Sequence, residues 1–271
     1  MAIKLISLDF DGTLLNNSSR LTPHTVDVLR ELSDRGILIF PNTGRGIEVL
    51  KPLFDELPFV EYFAGLNGGT VYHRDTIIDA HELPHDTAVK IAEAFERLGV
   101  FYFVVVDGYY FDRNGKRKQI HPAIPLNFQD EYTDYIRDHS LYDFVKACTR
   151  SIYKIVALFD GDAYAEVLRK ELKDIEGIRA NPSRHGNLEV NASSAGKGKA
   201  VAFMRDLLGL SNGEIMSIGD NDNDIAMMLE GAVNVCLSNG TEGLKKVCAY
   251  VTDLDNDHDG TADFLEKYFD L

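Results

Sequence analysis

Cysteine is scarce in this 271-residue chain: Cys148, Cys236 and Cys248 are odd in number, far apart and contain no C-x-x-C pair. That spacing excludes a disulfide framework and a thiolate zinc site, and it predicts a reducing, cytoplasmic setting. Long apolar runs are missing too. No stretch approaches the ~18 apolar residues of a membrane span. The opening MAIKLISLDFDG is broken by Asp9 and Asp11 before it reaches the length of a signal peptide's apolar core. Positive charge is in short supply, with 28 Lys and Arg against 43 Asp and Glu, a net charge of −15. This argues against nucleic acid or an anionic membrane surface as a partner. It equally opposes phosphorylated ligands, so a phosphate site here needs its own local positive charge. Internal repeats and low-complexity tracts are absent. The rest, 45% hydrophobic and 26% charged, is the composition of an ordinary globular protein with room for roughly two domains.

The organisation follows from periodicity and punctuation. Residues 3–8 form a short apolar run, the pattern of a buried parallel strand. A helix is expected over 22–35, with Thr22 as N-cap, Pro23 at the first helical position and Gly36 as the stop. A second buried strand (37–40), a helix (46–57) and a third strand (62–66) follow. This alternation predicts a parallel α/β sheet. From about residue 82 the texture changes to a helix, the strand-rich FYFVVVDGYYFD, a stretch rich in His, Pro, Asn and Asp, then further strands and a helix. The α/β rhythm resumes with a helix at 198–208, a strand at 214–218, a helix at 222–230 and a strand at 232–236. The expected fold is therefore a Rossmann-like parallel-sheet core of residues 1–81 and 187–271, with an inserted mixed α/β cap domain at 82–186.

The chemistry concentrates where strands end. Asp9-Phe10-Asp11-Gly12-Thr13 directly follows the first strand, and ligand sites in open α/β sheets lie beyond the carboxyl ends of strands. Two residues apart on an extended chain, Asp9 and Asp11 face the same side. Carboxylates that close repel one another, which a divalent cation relieves, and an all-oxygen set suits Mg²⁺. One carboxylate can act as a nucleophile and the other as general acid and base. Thr43-Gly44-Arg45 follows the second strand, where a hydroxyl and a backbone N–H can hold a phosphate at a helix N-terminus. After the 214–218 strand comes Gly219-Asp220-Asn221-Asp222-Asn223-Asp224, whose three aspartates within five residues would be costly without a cation.

Asp9-Phe10-Asp11-Gly12-Thr13-Leu14-Leu15 resembles the first motif of the haloacid dehalogenase superfamily of phosphatases. The other segments, in order, resemble its Cof-like subgroup over nearly the whole chain. The resemblance implies that Asp9 is the nucleophile and Asp11 the acid/base. It also implies that Mg²⁺ is held by the Asp9 carboxylate, the Asp11 main-chain carbonyl and the Asp220 side chain, with Asp224 acting through water or as an anchor. Phosphate contact falls to Thr43, Gly44 and Asn223, with Arg45 at the substrate entrance. Lys197, eight residues after the Glu189-Val190 pair and followed by Gly198, fits the lysine that neutralises the transferring phosphate; Lys199 reads as a solvated helix lysine. The family often has Pro-x-Gly before this lysine, whereas Asn-Ala-Ser-Ser-Ala-Gly stands here. Asn67-Gly68-Gly69 resembles a loop lining the cleft.

The implied activity is Mg²⁺-dependent hydrolysis of a small phosphorylated metabolite, such as a sugar phosphate, through an aspartyl-phosphate. A phosphosugar mutase is the alternative, but it would need a second, arginine-rich phosphate site that this sequence does not present. A non-enzymatic metabolite or calcium sensor is disfavoured by the intact set of nucleophile, acid/base, lysine and carboxylate. Arg113, Lys116, Arg117, Lys118, His121 and Arg184 are the cap's candidates for contact with the leaving group, with Asn114-Gly115 as a hairpin turn. Asp255-Asn256-Asp257-His258-Asp259-Gly260 followed by Glu266 fits the calcium-loop pattern. Ala262 and the strand-like approach at 248–252 favour an N-capped turn instead, and Asp259-Gly260 resembles the acidic-Gly turn that opens the last helix in the Cof-like family.

Overall fold

A computed structural model describes residues 2–107, 109–112, 140–161, 163–182 and 186–271. The basic cap candidates 113–121 and Arg184, and the expected turn at Asn114-Gly115, lie outside the described residues. The chain divides into two compact units, Met1–Arg45 with Lys51–Ala80 and Gly196–Leu271, and Gly46–Leu50 with His81–Ala195.

The first unit is built on a five-stranded sheet in the order Tyr250–Val251, Val233–Cys236, Ile215–Gly219, Leu5–Leu8, Leu38–Pro41, parallel throughout. Leu5–Leu8 is buried at every position, which is why it reads as an unbroken apolar run rather than an alternating one. Its neighbours on the two sides come from opposite ends of the chain. The strand order therefore reverses at this central strand, and a crevice opens there beyond the strand ends. Register fixes which residues share that edge: Leu8 pairs with both Pro41 and Ile218, so Asp9, Asn42, Thr43 and Asp220 emerge together.

The helix expected over 22–35 runs Pro23–Asp34, with the Thr22 side chain accepting from Thr25 N–H. The third expected strand, Tyr62–Gly65, joins the parallel sheet only through a bridge between Asn42 and Ala64. Its ladder goes instead to an antiparallel hairpin of Thr70–His73 and Thr76–Ala80. The run expected as one helix over 222–230 is a 3₁₀ turn, Asp222–Asp224, followed by the short helix Ile225–Met228.

The second unit is an antiparallel sheet in the order Tyr109–Asp112, Phe101–Val106, Ile152–Leu158, Asn187–Ala192, Ile178–Asn181. The helices His85–Arg97, Leu141–Ala147 and Ala163–Leu172 share its apolar core through Phe95, Tyr102, Phe144, Ile155, Leu168 and Leu188. Asn187–Ala192 hydrogen-bonds to strands on both of its sides within this sheet. The units consequently part between Ala195 and Gly196 rather than at the expected 186/187. Sequence texture marks the onset of a strand but not the sheet that takes it.

The last helix, Gly260–Phe269, returns to the first one. His24 Nδ1 lies 3.5 Å from Asp259 and Nε2 lies 3.1 Å from Glu266. The hydrogen bond to Glu266 outweighs the small desolvation cost and, with Asp259, raises the His24 pKa from its usual 6.5. A raised histidine pKa stabilises the fold fully below 6.5, and that contribution disappears as pH climbs through the raised value. Melting curves from about pH 6 to about pH 9 should show wild type losing more stability than His24→Gln over this window; parallel curves would contradict the linkage.

Candidate active site

Within the first unit, the residues that follow the central strand turn sharply. The N–H groups of Thr13, Leu14 and Leu15 all reach the Phe10 carbonyl, at 3.3, 3.0 and 2.8 Å. The chain therefore leaves the extended form at Phe10, so the strand alternation that would put Asp9 and Asp11 on one face does not apply between them. Asp9 is buried at 5% exposure. Asp11 sits at the rim, where the Arg45 guanidinium grips its carboxylate with two prongs, Nε–H on Oδ2 at 2.8 Å and an Nη2–H on Oδ1. The turn uses Gly12 at φ +78°, where a Cβ would overlap the Asp220 carboxylate. Glycine here serves both backbone conformation and close approach.

Lys197 opens the helix Lys197–Leu208 and is 2% exposed. Its Nζ lies 2.8 Å from Asp9 Oδ1 and 2.6 Å from Asp224 Oδ1. Asn42, fully buried, donates to the Lys197 carbonyl at 2.9 Å. Asp224 Oδ2 accepts from the N–H groups of Asp220 and Asn221 at 3.1 and 3.0 Å, folding the 220–224 loop onto itself. Thr13 Oγ1 donates to Asp220 Oδ1 at 2.8 Å, tying the first loop to the last. Thr43 is fully buried and its Oγ1 accepts from Arg45 N–H at 3.2 Å. Gly44 lies between them in the same turn. Asn223 Oδ1 is buried with no hydrogen-bond donor on it. Asp222 and Lys199 are exposed.

Asp9, Asp220 and Asp224 each offer an oxygen within 4.8 Å of the others, the one such group of potential metal ligands among the described residues. Against three carboxylates stands one ammonium. Burial pushes Asp9 well above the usual carboxylate range; Lys197 opposes this, while Asp224, Asp220 and Asp11 add to it. Asp220 is pushed up to about 7, first by burial and then by Asp224, against the pull of Thr13 and Lys197. Burial alone would favour a neutral amine at Lys197, but Asp224 and Asp9 overcome it and raise its pKa, so the lysine stays charged. The excess negative charge and the all-oxygen donor set fit a hard divalent cation. Asp11 contributes no carboxylate oxygen to this group.

The structure thus brings together Asp9, Lys197, Asp220 and Asp224, and sets Asp11 with Arg45 beside them. Sequence reasoning missed Asn42, which holds the Lys197 backbone, and the part Thr13 plays in holding Asp220. Thr13 carried a signal as the last letter of the Asp-x-Asp-Gly-Thr motif. Asn42 carried none beyond its place after a strand.

The profile of the haloacid dehalogenase-like hydrolases matches residues 6–265. Two proteins of Bacillus subtilis, the 5-amino-6-(5-phospho-D-ribitylamino)uracil phosphatases YwtE and YcsE, are 26% and 27% identical to this chain. Each alignment covers 98% of this chain, with 98% and 96% of the relative. Among solved structures, a haloacid dehalogenase-like hydrolase from Bacteroides thetaiotaomicron superposes with a TM-score of 0.81 at 22% identity, over 98% of this chain and all of the other. The subclass IIB sugar phosphatase BT4131 gives 0.78 at 22%, over 98% and 99%. At that identity the two structures speak for the fold. The chain belongs to the haloacid dehalogenase-like hydrolases. Within them it is a phosphoric monoester hydrolase of the Cof-like kind, with the Rossmann-like core and separate antiparallel sheets of that fold.

The raised Asp220 gives the candidate cation site a pH signature. Near neutral pH a cation would have to displace a proton held in the site, so affinity should climb as pH rises through about 7. Without a cation the sign is opposite for stability. The charged form is disfavoured in the fold, so this group lowers stability as pH rises from 3.8 to about 7. Calorimetry in buffers of different ionisation enthalpy should record protons released on Mg²⁺ binding below that value, and fewer from Asp220→Asn; equal release would refute the assignment.

Proposed function

We propose that this hydrolase removes the phosphoryl group from small phosphorylated metabolites, sugar phosphates or similar, using Mg²⁺ and an aspartyl-phosphate formed on Asp9. The observation that carries the reading is the buried convergence of Asp9, Asp220 and Asp224 around the Lys197 ammonium. An acidic protein gains there the local positive charge that a phosphate dianion needs. The relatives named for a phosphorylated ribitylaminouracil support a substrate whose leaving group is a polyol or sugar.

In this reading Asp9 and Asp220 hold the cation through their carboxylates and Asp11 through its main-chain carbonyl, with Asp224 as an outer anchor. Bound there, Mg²⁺ supplies positive charge to the phosphoryl oxygens and quenches repulsion between ester and carboxylate. Asp9 attacks phosphorus, its oxygen–phosphorus bond forming as the ester oxygen–phosphorus bond breaks. Lys197, Thr43, Gly44 and Asn223 hold the transferring group. Asp11 serves as the acid that passes a proton to the leaving alcohol and then as the base that takes one from the water attacking the aspartyl-phosphate. To do so it must exchange its Arg45 pair for the substrate, which frees the guanidinium to meet the incoming anion. The second unit we assign to substrate choice, and the chain to the cytoplasm. Its three cysteines are free thiols, and no helix among the described residues is long and apolar enough to cross a membrane.

Screening a library of phosphorylated metabolites for inorganic phosphate, with Mg²⁺ and without a bisphosphate activator, tests the activity. Asp9→Asn should abolish turnover while keeping the wild-type circular-dichroism spectrum, and acid-quenched wild type should show phosphate on the Asp9 peptide by mass spectrometry. Retained turnover in Asp9→Asn would refute the nucleophile.

A further inference from the structure

The segment that fits a calcium loop in sequence has its groups engaged elsewhere. Asp255 Oδ1 accepts from Asp257 N–H at 3.0 Å and meets His258 Nδ1 at 2.6 Å. Asp257 Oδ1 accepts from Asn17 N–H at 2.9 Å. Asp259 Oδ1 takes the hydroxyls of Thr22 and Thr25. The Asp-Gly pair is explained by the backbone: Asp259 sits at φ +58°, and a Cβ at Gly260 would overlap the Leu254 carbonyl.

What the segment grips is the loop after the central strand. That loop turns three of its N–H groups inward onto Phe10. Its carbonyls take donors from the far end of the chain: Asn239 Nδ2 on Gly12 O at 2.9 Å, Thr261 Oγ1 on Thr13 O at 2.9 Å, and Asn256 Nδ2 on Leu15 O at 2.8 Å. Asn239 Oδ1 in turn accepts from Asn256 N–H at 3.1 Å, which links two of the three donors. Asn256 and Thr261 are 8% and 1% exposed, so these bonds are formed out of competition with water.

We propose that Asn239, Asn256 and Thr261 are positioning residues that clasp the Gly12–Leu15 loop, so that Thr13 holds Asp220 where the cation-binding carboxylates converge. The proposal rests on the reading of the site given above. None of the three hydrogen-bonds to the carboxylate cluster. They act through the backbone of Gly12 and Thr13, and Thr13 Oγ1 passes that placement to Asp220. Groups that orient a metal's own ligands typically govern affinity or activity by about 10–100-fold.

The test uses the full chain as wild type, Thr261→Val, Thr261→Ser and Asn239→Ala. Mg²⁺ alone is titrated by calorimetry, and p-nitrophenyl phosphate serves as a generic ester. Thr261→Val and Asn239→Ala should bind Mg²⁺ about 10-fold more weakly and lose about 10–100-fold in kcat. KM should move less than about 2-fold, since substrate binding is not what the clasp serves. Thr261→Ser, which keeps the hydroxyl, should restore both. Unchanged Mg²⁺ affinity in both weakened variants, or a Thr261→Ser as impaired as Thr261→Val, would overturn the proposal. Asn239 is exposed, so Asn239→Ala decides the matter if Thr261→Val fails to fold. A wild type that binds Mg²⁺ but releases no phosphate would remove the proposed function, while the Mg²⁺ affinities still decide the clasp.

Discussion

Burying the Lys197 ammonium against Asp9 and Asp224 is the constraint around which the first unit is arranged. An isolated ion in that position would cost several kcal/mol in lost hydration. The fold offsets the cost by bringing carboxylates from two strand ends to the one lysine at the start of a helix. It overshoots, because three carboxylates then face one cation; burial first, and the neighbouring carboxylates after it, leave Asp9 and Asp220 raised. A pocket in that condition favours a second positive charge, which the proposed function uses to admit a phosphate. In the proposed function stability and activity meet here, since the imbalance that weakens the cation-free fold is what would make the site receptive.

The placement of these groups needs support from all parts of the first unit. Asn42 anchors the lysine's backbone, Thr13 anchors Asp220, and the 220–224 loop closes on the second oxygen of Asp224. Glycines stand where backbones or carboxylates come too close for a Cβ, as at Gly12 and at Gly68, where a Cβ would overlap the Gly196 carbonyl just before Lys197. The last 33 residues, far from the chemistry in sequence, close over the first loop through Asn239, Asn256 and Thr261. A chain whose ends meet beside its central strand can thus fix a turn that its own hydrogen bonds leave half-satisfied.

Much of this was legible in the sequence, for identifiable reasons. The unbroken apolar run before Asp9, the Thr22-Pro23 start and Gly36 stop, and the return of strand–helix alternation after residue 197 gave the parallel core. The acidic motifs gave the carboxylates, because residues that costly in a buried loop carry a strong signal. Three features were not legible. Tyr62–Gly65 looks like any buried strand, and only the hairpin after it shows that its ladder runs elsewhere. Asn187–Ala192 carries no mark of the sheet that takes it. Asp11 reads as a partner to Asp9 in an extended chain, but the chain turns at Phe10 and the Asp11 carboxylate pairs with Arg45. Hydrogen bonds spanning more than 200 residues, such as Thr13 to Asp220, leave no local trace in spacing at all.

The most direct check is a crystal grown with Mn²⁺ in place of Mg²⁺, read by anomalous scattering. The account predicts one strong peak in coordination contact with the Asp9 and Asp220 side chains, with the Lys197 ammonium still beside Asp9 and no peak at residues 255–266. A peak only in that later segment, or carboxylates turned away from one another with none between them, would contradict it.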